Sequence, residues 1–328
     1  MGLLVHLMLK KKFKKINIEI SNICNLQCTF CPEVVREKKI MGVEMFTKII
    51  GEVAPLTEEV CFHLMGEPLA HSKFGEFISI CSRAGVRVNL TSNGILLNEA
   101  KRELLLDPIV SQVNFSVHSF ESNFGNKDIT PYLEKLFIFT EMAFERRPDL
   151  YINYRMWNLA DPLTQSEKNR EIIAKIEARF GFSLTTPAEG ATDPNKLRNG
   201  GLRKSRKVKN RLYLHFDTRF DWPHLKSPVR GTQGFCHGLS NHFGIHADGT
   251  VVPCCLDKEA AMPLGNSADS TIPEILASPR AMAISQGFKN HRLVEDLCQK
   301  CTFISRFDGK LKKTAPLGPR PALPRSAL

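Results

Sequence analysis

The feature that most constrains this chain is Cys24-Asn-Leu-Gln-Cys28-Thr-Phe-Cys31-Pro32, three cysteines in eight residues at the spacing C-x3-C-x2-C. It follows Lys15–Ile20, whose apolar and polar residues alternate as in a strand. Thiolates at this density are soft ligands that select zinc or an iron–sulfur cluster over magnesium or calcium. A closed zinc site needs a fourth ligand, and the next candidates, Cys61 and His63, lie well beyond the loop. Three thiolates on a four-iron cluster would leave one iron open for chemistry. On these residues alone a zinc knuckle and an iron–sulfur site both stand.

The 328 residues, 42% hydrophobic and 24% charged, predict a globular chain with one large core and a smaller module. Ten cysteines in a chain this long point to metal or redox work, not to a small disulfide scaffold, and therefore to a reducing, cytoplasmic setting. Residues 1–14 read as an N-terminal extension: the apolar run is short, His6 interrupts it, and its charges follow instead of preceding. No stretch approaches the length of a membrane span. Much of the net charge of +11 is local, with eight basic and no acidic residues from Lys196 to Arg211. That run lacks the interleaved aromatics of a single-strand binder, so nucleic acid is not the expected partner. A scaffold that binds nucleic acid through this basic loop, without catalysis, is the alternative reading of the whole chain.

Beyond the cysteine loop, strand-like and helix-like stretches alternate. Strands are expected at Glu59–Met65, Val86–Leu90, Val110–His118, Leu150–Trp157 and Arg211–Phe216. Helices are expected at Glu44–Ala54, Ser72–Ala84, Asn98–Leu106, Ile129–Arg146 and Ser166–Phe180. This order predicts βαβ units and a parallel sheet curled into a partial (β/α)6 barrel over 15–228, with 182–210 as a basic loop or insertion. Chemistry in such folds gathers at the carboxyl ends of strands. The informative residues lie there: Cys24, Gly66-Glu67-Pro68, Asn93-Gly94, and Ser116 with His118. Residues 229–305 read as a second module, with a hairpin flanking Ala247-Asp248-Gly249. The basic, proline-rich 306–328 is expected to be disordered.

A carboxylate and a rigid proline after a strand, as in Gly66-Glu67-Pro68-Leu69, make a receptor for an ammonium group or a simple helix-start turn. Asn93-Gly94 suits a left-handed turn. Cys236, Cys254 and the C-x2-C pair Cys298 and Cys301 form a second thiolate set, fit for structural zinc or a four-iron cluster. Cys255, next to a ligand, is expected to point away and pack, and Cys81 to be a buried hydrophobe. Cys61 has two readings, buried hydrophobe or barrel-facing hydrogen-atom donor. His215 and Asp217, with Arg219 and Asp221, form either a substrate-facing set or a strand-end salt-bridge set. Tyr154, Trp157 and Trp222 are candidates to wall the same cavity. Arg155 could bind a carboxylate bidentately, or neutralise a buried acid such as Glu19.

The cysteine loop, with Phe30 at the aromatic position, resembles the cluster motif of the radical SAM enzymes. Gly66-Glu67-Pro68 resembles that family's G-G-E-P motif, with Met65 in place of the first glycine, and His71 and Phe74 continue a family pattern. The resemblance implies a [4Fe–4S] cluster on Cys24, Cys28 and Cys31 that binds S-adenosylmethionine through its open iron. It also implies cofactor contacts from Phe30, Gly66, Glu67, Pro68, Asn93, Ser116, His118 and Arg155. The second cysteine set resembles the family's twitch module, a shortened SPASM domain, and implies an auxiliary [4Fe–4S] cluster. Its spacing is similar to that of an aminocyclitol dehydrogenase of the family, though peptide-modifying members have related arrangements. The implied activity is reductive cleavage of S-adenosylmethionine to a 5′-deoxyadenosyl radical that takes a hydrogen atom from a substrate C–H. The implied partners are a reductant such as flavodoxin or ferredoxin and a peptide or sugar-like metabolite as substrate.

Overall fold

The computed structural model describes residues 13–159, 167–183, 205–219 and 221–307. Most of the N-terminal extension, the stretch 184–204 of the basic loop and nearly all of the tail lie outside the described residues.

Six parallel strands form the centre: β1 (Ile16–Ile18), β2 (Glu59–Phe62), β3 (Arg87–Ser92), β4 (Val110–Ser116), β5 (Tyr151–Leu159) and β7 (Leu212–Thr218). The connecting helices are α1 (Val43–Val53), α2 (Phe74–Ala84), α3 (Glu99–Leu105), α4 (Ser119–Phe124), α5 (Thr130–Arg146) and α6 (Glu167–Phe180). Each expected strand and helix of the barrel is present, as the alternating pattern predicts. Two elements go beyond that pattern. Helix α4 follows β4 directly, and β6 (Ser205–Lys209) pairs antiparallel with β7 within what the sequence presented as loop. The β6 sequence, SRKVK, is too charged to read as a strand, but an edge strand tolerates and even favours lysine.

Strand parity separates two chemistries. One face carries Ile16, Ile18, Val60, Phe62, Val88, Leu90, Val113, Phe115, Ile152, Tyr154, Leu212 and Leu214, all buried. It packs on the helices: Phe62 meets Phe46 of α1 edge-on at 5.6 Å, and Phe115 meets Phe139 of α5 at 5.7 Å. The opposite, inner face is polar. Asn89 donates to Glu59 at 3.3 Å, Asn114 donates to Asn89 at 2.9 Å, and Asn153 donates to Asn114 at 2.9 Å. This chain of amides crosses four strands and ties the floor of the barrel together. Tyr154 lies on the helix side, its hydroxyl 2.7 Å from that of Thr140. It therefore does not wall the inner cavity, because its parity is that of Ile152 and not of Arg155.

The cysteine-rich module is not a separate body. Its hairpin, β8 (Gly244–Ile245) and β9 (Thr250–Val252), joins the barrel sheet by pairing β8 parallel to β1, and β10 (Gly265–Asn266) follows β9. The described strands thus form one ten-stranded sheet in the order β10-β9-β8-β1-β2-β3-β4-β5-β7-β6. Helices α7 (Ile272–Leu276), α8 (Pro279–Lys289) and α9 (Asp296–Gln299) complete the module.

Where the module meets the barrel, Glu19 is 1% exposed. Arg36 donates to its two carboxylate oxygens at 2.6 and 2.5 Å, and the backbone N–H groups of Met65 and Ala247 donate at 3.2 Å each. Arg155 is not its partner. Burial raises the Glu19 pKa despite Arg36, since the carboxylate has left water for good. Replacing Arg36 with methionine leaves that charge buried and unpaired, and is expected to destabilise the chain by about 3–5 kcal/mol in urea unfolding at pH 7. Because Glu19 can then take up a proton, the loss should shrink as the pH is lowered toward 5.

Candidate metal centre

The loop from Ile23 to Glu37 lies at the carboxyl ends of β1–β4, where the expected site residues converge. Gly66 makes this possible. It has φ +77°, and a Cβ there would stand 2.1 Å from the Ser21 carbonyl oxygen, so only glycine lets the turn after β2 close on the cysteine loop. The Glu67 N–H then bonds to the Ile23 carbonyl at 3.0 Å.

Glu67 is 2% exposed, and both of its oxygens are occupied. Oε1 accepts from Leu69 N at 3.0 Å and Ser92 Oγ at 2.8 Å, while Oε2 accepts from Asn93 N at 2.7 Å. Burial raises its pKa, against these three donors. The carboxylate thus caps the turn at Pro68 and locks the end of β2 to the end of β3. Asn93 carries the link onward. Its amide donates to Asn25 at 2.9 Å and to the Cys24 sulfur at 3.8 Å, and its carbonyl accepts from the buried Tyr132 hydroxyl at 2.9 Å. Gly94 adopts φ +74°, the left-handed turn expected after the asparagine.

The third support of the loop went unseen in the sequence. Asn123 of α4 donates to the Cys28 sulfur at 3.1 Å and accepts from Gln27 N at 2.9 Å; Ser122 accepts from Thr29 N at 2.8 Å. No short motif marks a six-residue helix as a ligand support, so only the packing of α4 against the loop reveals it. His118 heads this helix, with Nδ1 3.0 Å from the Arg155 carbonyl and its ring 4.7 Å from that of Phe30. His71, which continued the family pattern, braces Met41 O at 3.0 Å and is buried.

The thiols themselves resist ionisation. Burial pushes all three up, Cys31 to about 12, and Cys24 and Cys28 raise it further by repulsion. Three thiolates here need a cationic centre to offset their charge. Among the described residues no three His, Cys, Asp or Glu side chains converge on a single ion. A four-iron cluster instead spreads its thiolates over separate irons, and two amide donors already aimed at sulfur suit such thiolates. The donor set therefore fits a cluster.

The second set forms another patch of mutually repelling thiols. Burial raises Cys236 to about 11, with Cys301 and Cys255 adding to it. Cys254 is raised by burial and by Cys255, Cys236 and Cys298. Four thiols carried by β8–β9, their flanks and α9 thus share one neighbourhood and fit a second cluster. Gly238 N donates to Cys236 Sγ at 3.5 Å. Cys255 departs from its expected geometry. Strand β9 ends at Val252, so alternation does not govern Cys255, and it lies near Cys254 and Cys301 as well as Cys61 of the barrel.

On the inner face, Cys61 is buried and pushed up to about 12 by burial. Burial lowers Arg155 to about 10. Its Nη1 donates to Thr91 Oγ1 at 3.1 Å and its guanidinium lies 4.4 Å from the Trp157 ring. Among the described residues no carboxylate is paired with it. Trp157 Nε1 donates to His215 Nδ1 at 2.8 Å, which places the His215 proton on Nε2. Asp217 is ion-paired with Arg306 at 2.8 Å, and this ties the end of β7 to the segment after Cys301. Ser116 sits at the end of β4 in register with Arg155.

Comparison with known proteins agrees with this geometry. The radical SAM superfamily model matches residues 18–156, and an iron–sulfur cluster-binding domain model, SPASM, matches 236–302. A tungsten-containing aldehyde ferredoxin oxidoreductase cofactor-modifying protein from Pyrococcus furiosus is 29% identical over 108 residues, 32% of this chain and 30% of that protein. A PqqA peptide cyclase from Bradyrhizobium diazoefficiens is 26% identical over 113 residues, 34% of this chain and 30% of that protein. The chain thus spans less than a third of the length of these two relatives. The crystal structure of BtrN in complex with AdoMet and 2-DOIA superposes with a TM-score of 0.56 at 16% identity, over 89% of this chain and 94% of that one. At that identity the likeness is one of fold. No helix among the described residues is long and apolar enough to cross a membrane.

Three histidines near the junction between barrel and module give a pH signature. His63 is lowered to about 3, and His242 and His246 to about 4, each chiefly by burial. The unfolded chain protonates them near 6.5 and the native chain does not, so the unfolded state binds more protons in between. Stability is expected to fall as pH drops from about 6.5 toward 4. A His63→Gln variant should show a flatter melting-temperature profile over that range.

Proposed function

Because the chain belongs to the radical SAM superfamily and carries an iron–sulfur cluster-binding SPASM domain, we propose that it is an enzyme that cleaves S-adenosylmethionine and oxidises or otherwise modifies a substrate at an unactivated C–H. The observation that carries this reading is the frame Gly66–Glu67–Ser92–Asn93–Cys24, which joins the ends of β2 and β3 to each other and to the cysteine loop through hydrogen bonds. A scaffold that only stored a cluster or bound nucleic acid would have no use for that frame. When bound, the cluster supplies the electron that cleaves the sulfonium C–S bond and yields the 5′-deoxyadenosyl radical.

The chain's own residues have the following parts. Cys24, Cys28 and Cys31 hold the cluster, and Asn93 and Asn123 donate to two of their sulfurs. The turn Gly66–Pro68 presents backbone to the amino group of S-adenosylmethionine, with Glu67 acting from behind as the cap that holds the turn. Phe30 and His118 flank the adenosine side. Arg155, beside Ser116 and without a carboxylate of its own, takes the methionine carboxylate. The substrate lies on the polar inner face between Cys61 and His215, where the strands hold it in place for reaction. Cys61 is a hydrogen-atom donor candidate there, and Asp217 anchors the wall through Arg306.

Cys236, Cys254, Cys298 and Cys301 would hold a second cluster, which would supply an electron acceptor for the substrate radical; Cys255 couples electrostatically to Cys301 on one side and to Cys61 on the other. Two substrate classes fit. The spacing of these four cysteines favours a sugar or aminocyclitol-type metabolite. The relationship to a PqqA peptide cyclase favours a peptide, which the basic residues Arg206, Lys207 and Lys209 of β6 would attract if it is acidic. A flavodoxin- or ferredoxin-type protein would supply the electron.

Anaerobic reconstitution followed by dithionite and S-adenosylmethionine is expected to give 5′-deoxyadenosine and about eight irons per chain. No 5′-deoxyadenosine from a fully loaded protein sinks the enzyme reading. Replacing Cys298 and Cys301 with alanine should remove about half of the iron, whereas unchanged iron with one zinc lost would make the second site structural zinc. Product analysis with an acidic peptide and with an aminocyclitol separates the two substrate classes.

A further inference from the structure

Two stretches more than two hundred residues apart are bound to each other along the edge of the cysteine loop. Both carboxylate oxygens of Glu259 accept backbone N–H groups, from Val35 at 3.1 Å and Arg36 at 3.0 Å. Arg36 Nε donates to the Lys258 carbonyl at 2.6 Å. The Lys258 ammonium turns back over the loop, donating to the Glu33 carbonyl at 2.6 Å and pairing with Glu259. Lys258 is only 6% exposed.

A lysine is seldom buried this far, because it gives up hydration and side-chain freedom together. A surface turn that merely closed a loop would leave its lysine in water. Here the four residues after Cys254 bring an ammonium onto the carbonyl of Glu33, two positions along the chain from Cys31. Glu259 offsets part of that charge, but its oxygens are also committed to two backbone donors. The ammonium's other contact is the Glu33 carbonyl on the arm that carries Cys31, so its charge is held on that arm.

From this packing we infer that Lys258, delivered by the SPASM module, is a positioning residue for the first cluster. It clamps the arm that carries Cys31 and sets a fixed positive charge beside that ligand. The inference rests on the cluster reading given above. Its consequence follows from charge. Reduction adds one electron to the cluster, and a fixed cation close by stabilises the more negative state. The module that holds the second cluster therefore also eases reduction of the first.

The test is an anaerobic redox titration of the reconstituted full chain with dithionite, followed by electron paramagnetic resonance. The signal whose shape changes on adding S-adenosylmethionine reports the first cluster. Lys258→Met should move its midpoint potential downward, and Lys258→Arg should leave it near the wild-type value. Glu259→Gln leaves the ammonium less compensated and should move it upward. Opposite shifts in the two neighbours are a result that a purely structural clamp does not produce. Equal midpoints in all of the variants, at wild-type iron content, overturn the inference. If Lys258→Met fails to hold iron, Glu259→Gln decides alone: an upward shift supports the inference and no shift overturns it. A loaded wild-type chain with no signal that responds to S-adenosylmethionine overturns the cluster reading itself, and the role of Lys258 with it.

Discussion

The site depends on one buried ion pair. Glu19 stands on the inner side of the end of β1 and accepts from three donors: Arg36 Nη2, which reaches both oxygens, the N–H of Met65 and the N–H of Ala247. Those donors come from the cysteine loop, from the turn after β2 and from the hairpin of the second module. A carboxylate removed from water must be satisfied from every side. Three segments that share no sequence proximity are therefore held to one point.

From that point outward the site is built in relays of hydrogen bonds. Glu67 joins β2 to β3, Asn93 joins β3 to the loop, and Asn123 joins the loop to α4. Each relay member is a carboxylate or amide that bonds in two directions, so each fixes its neighbour's orientation as well as its own. Two of the relay amides end on sulfur. Thiols that burial and mutual repulsion keep protonated are thereby prepared to act as thiolates once a cationic centre is present.

Strand parity organises the space between the two cysteine sets. Apolar residues face the helices, and polar ones line the interior, where Arg155 has a hydroxyl and an indole ring for company but no carboxylate. The pairing of β8 with β1 places the second set beside that interior, with Cys255 between it and Cys61.

The barrel was legible in the chain because strand and helix periods are local: each of the six parallel strands and five of the helices follows from alternation and spacing of apolar residues. The cysteine ligands, Gly66-Glu67-Pro68 and Asn93-Gly94 were legible for the same reason, as short motifs at strand ends. Parity was harder. Tyr154 looked like a cavity wall until its strand register turned it toward Thr140. Strand β6 was hidden by its charge, and α4 by its brevity. The pairing of β8 with β1, the Glu19–Arg36 pair, Asn123 on Cys28 and Lys258 beside Cys31 join residues from about 17 to more than 220 positions apart. Local chemistry alone determined which residues could hold a cluster. Only the tertiary structure decided what holds those residues, since hydrogen bonds and charge act across space, and neither composition nor spacing records which distant segments will meet.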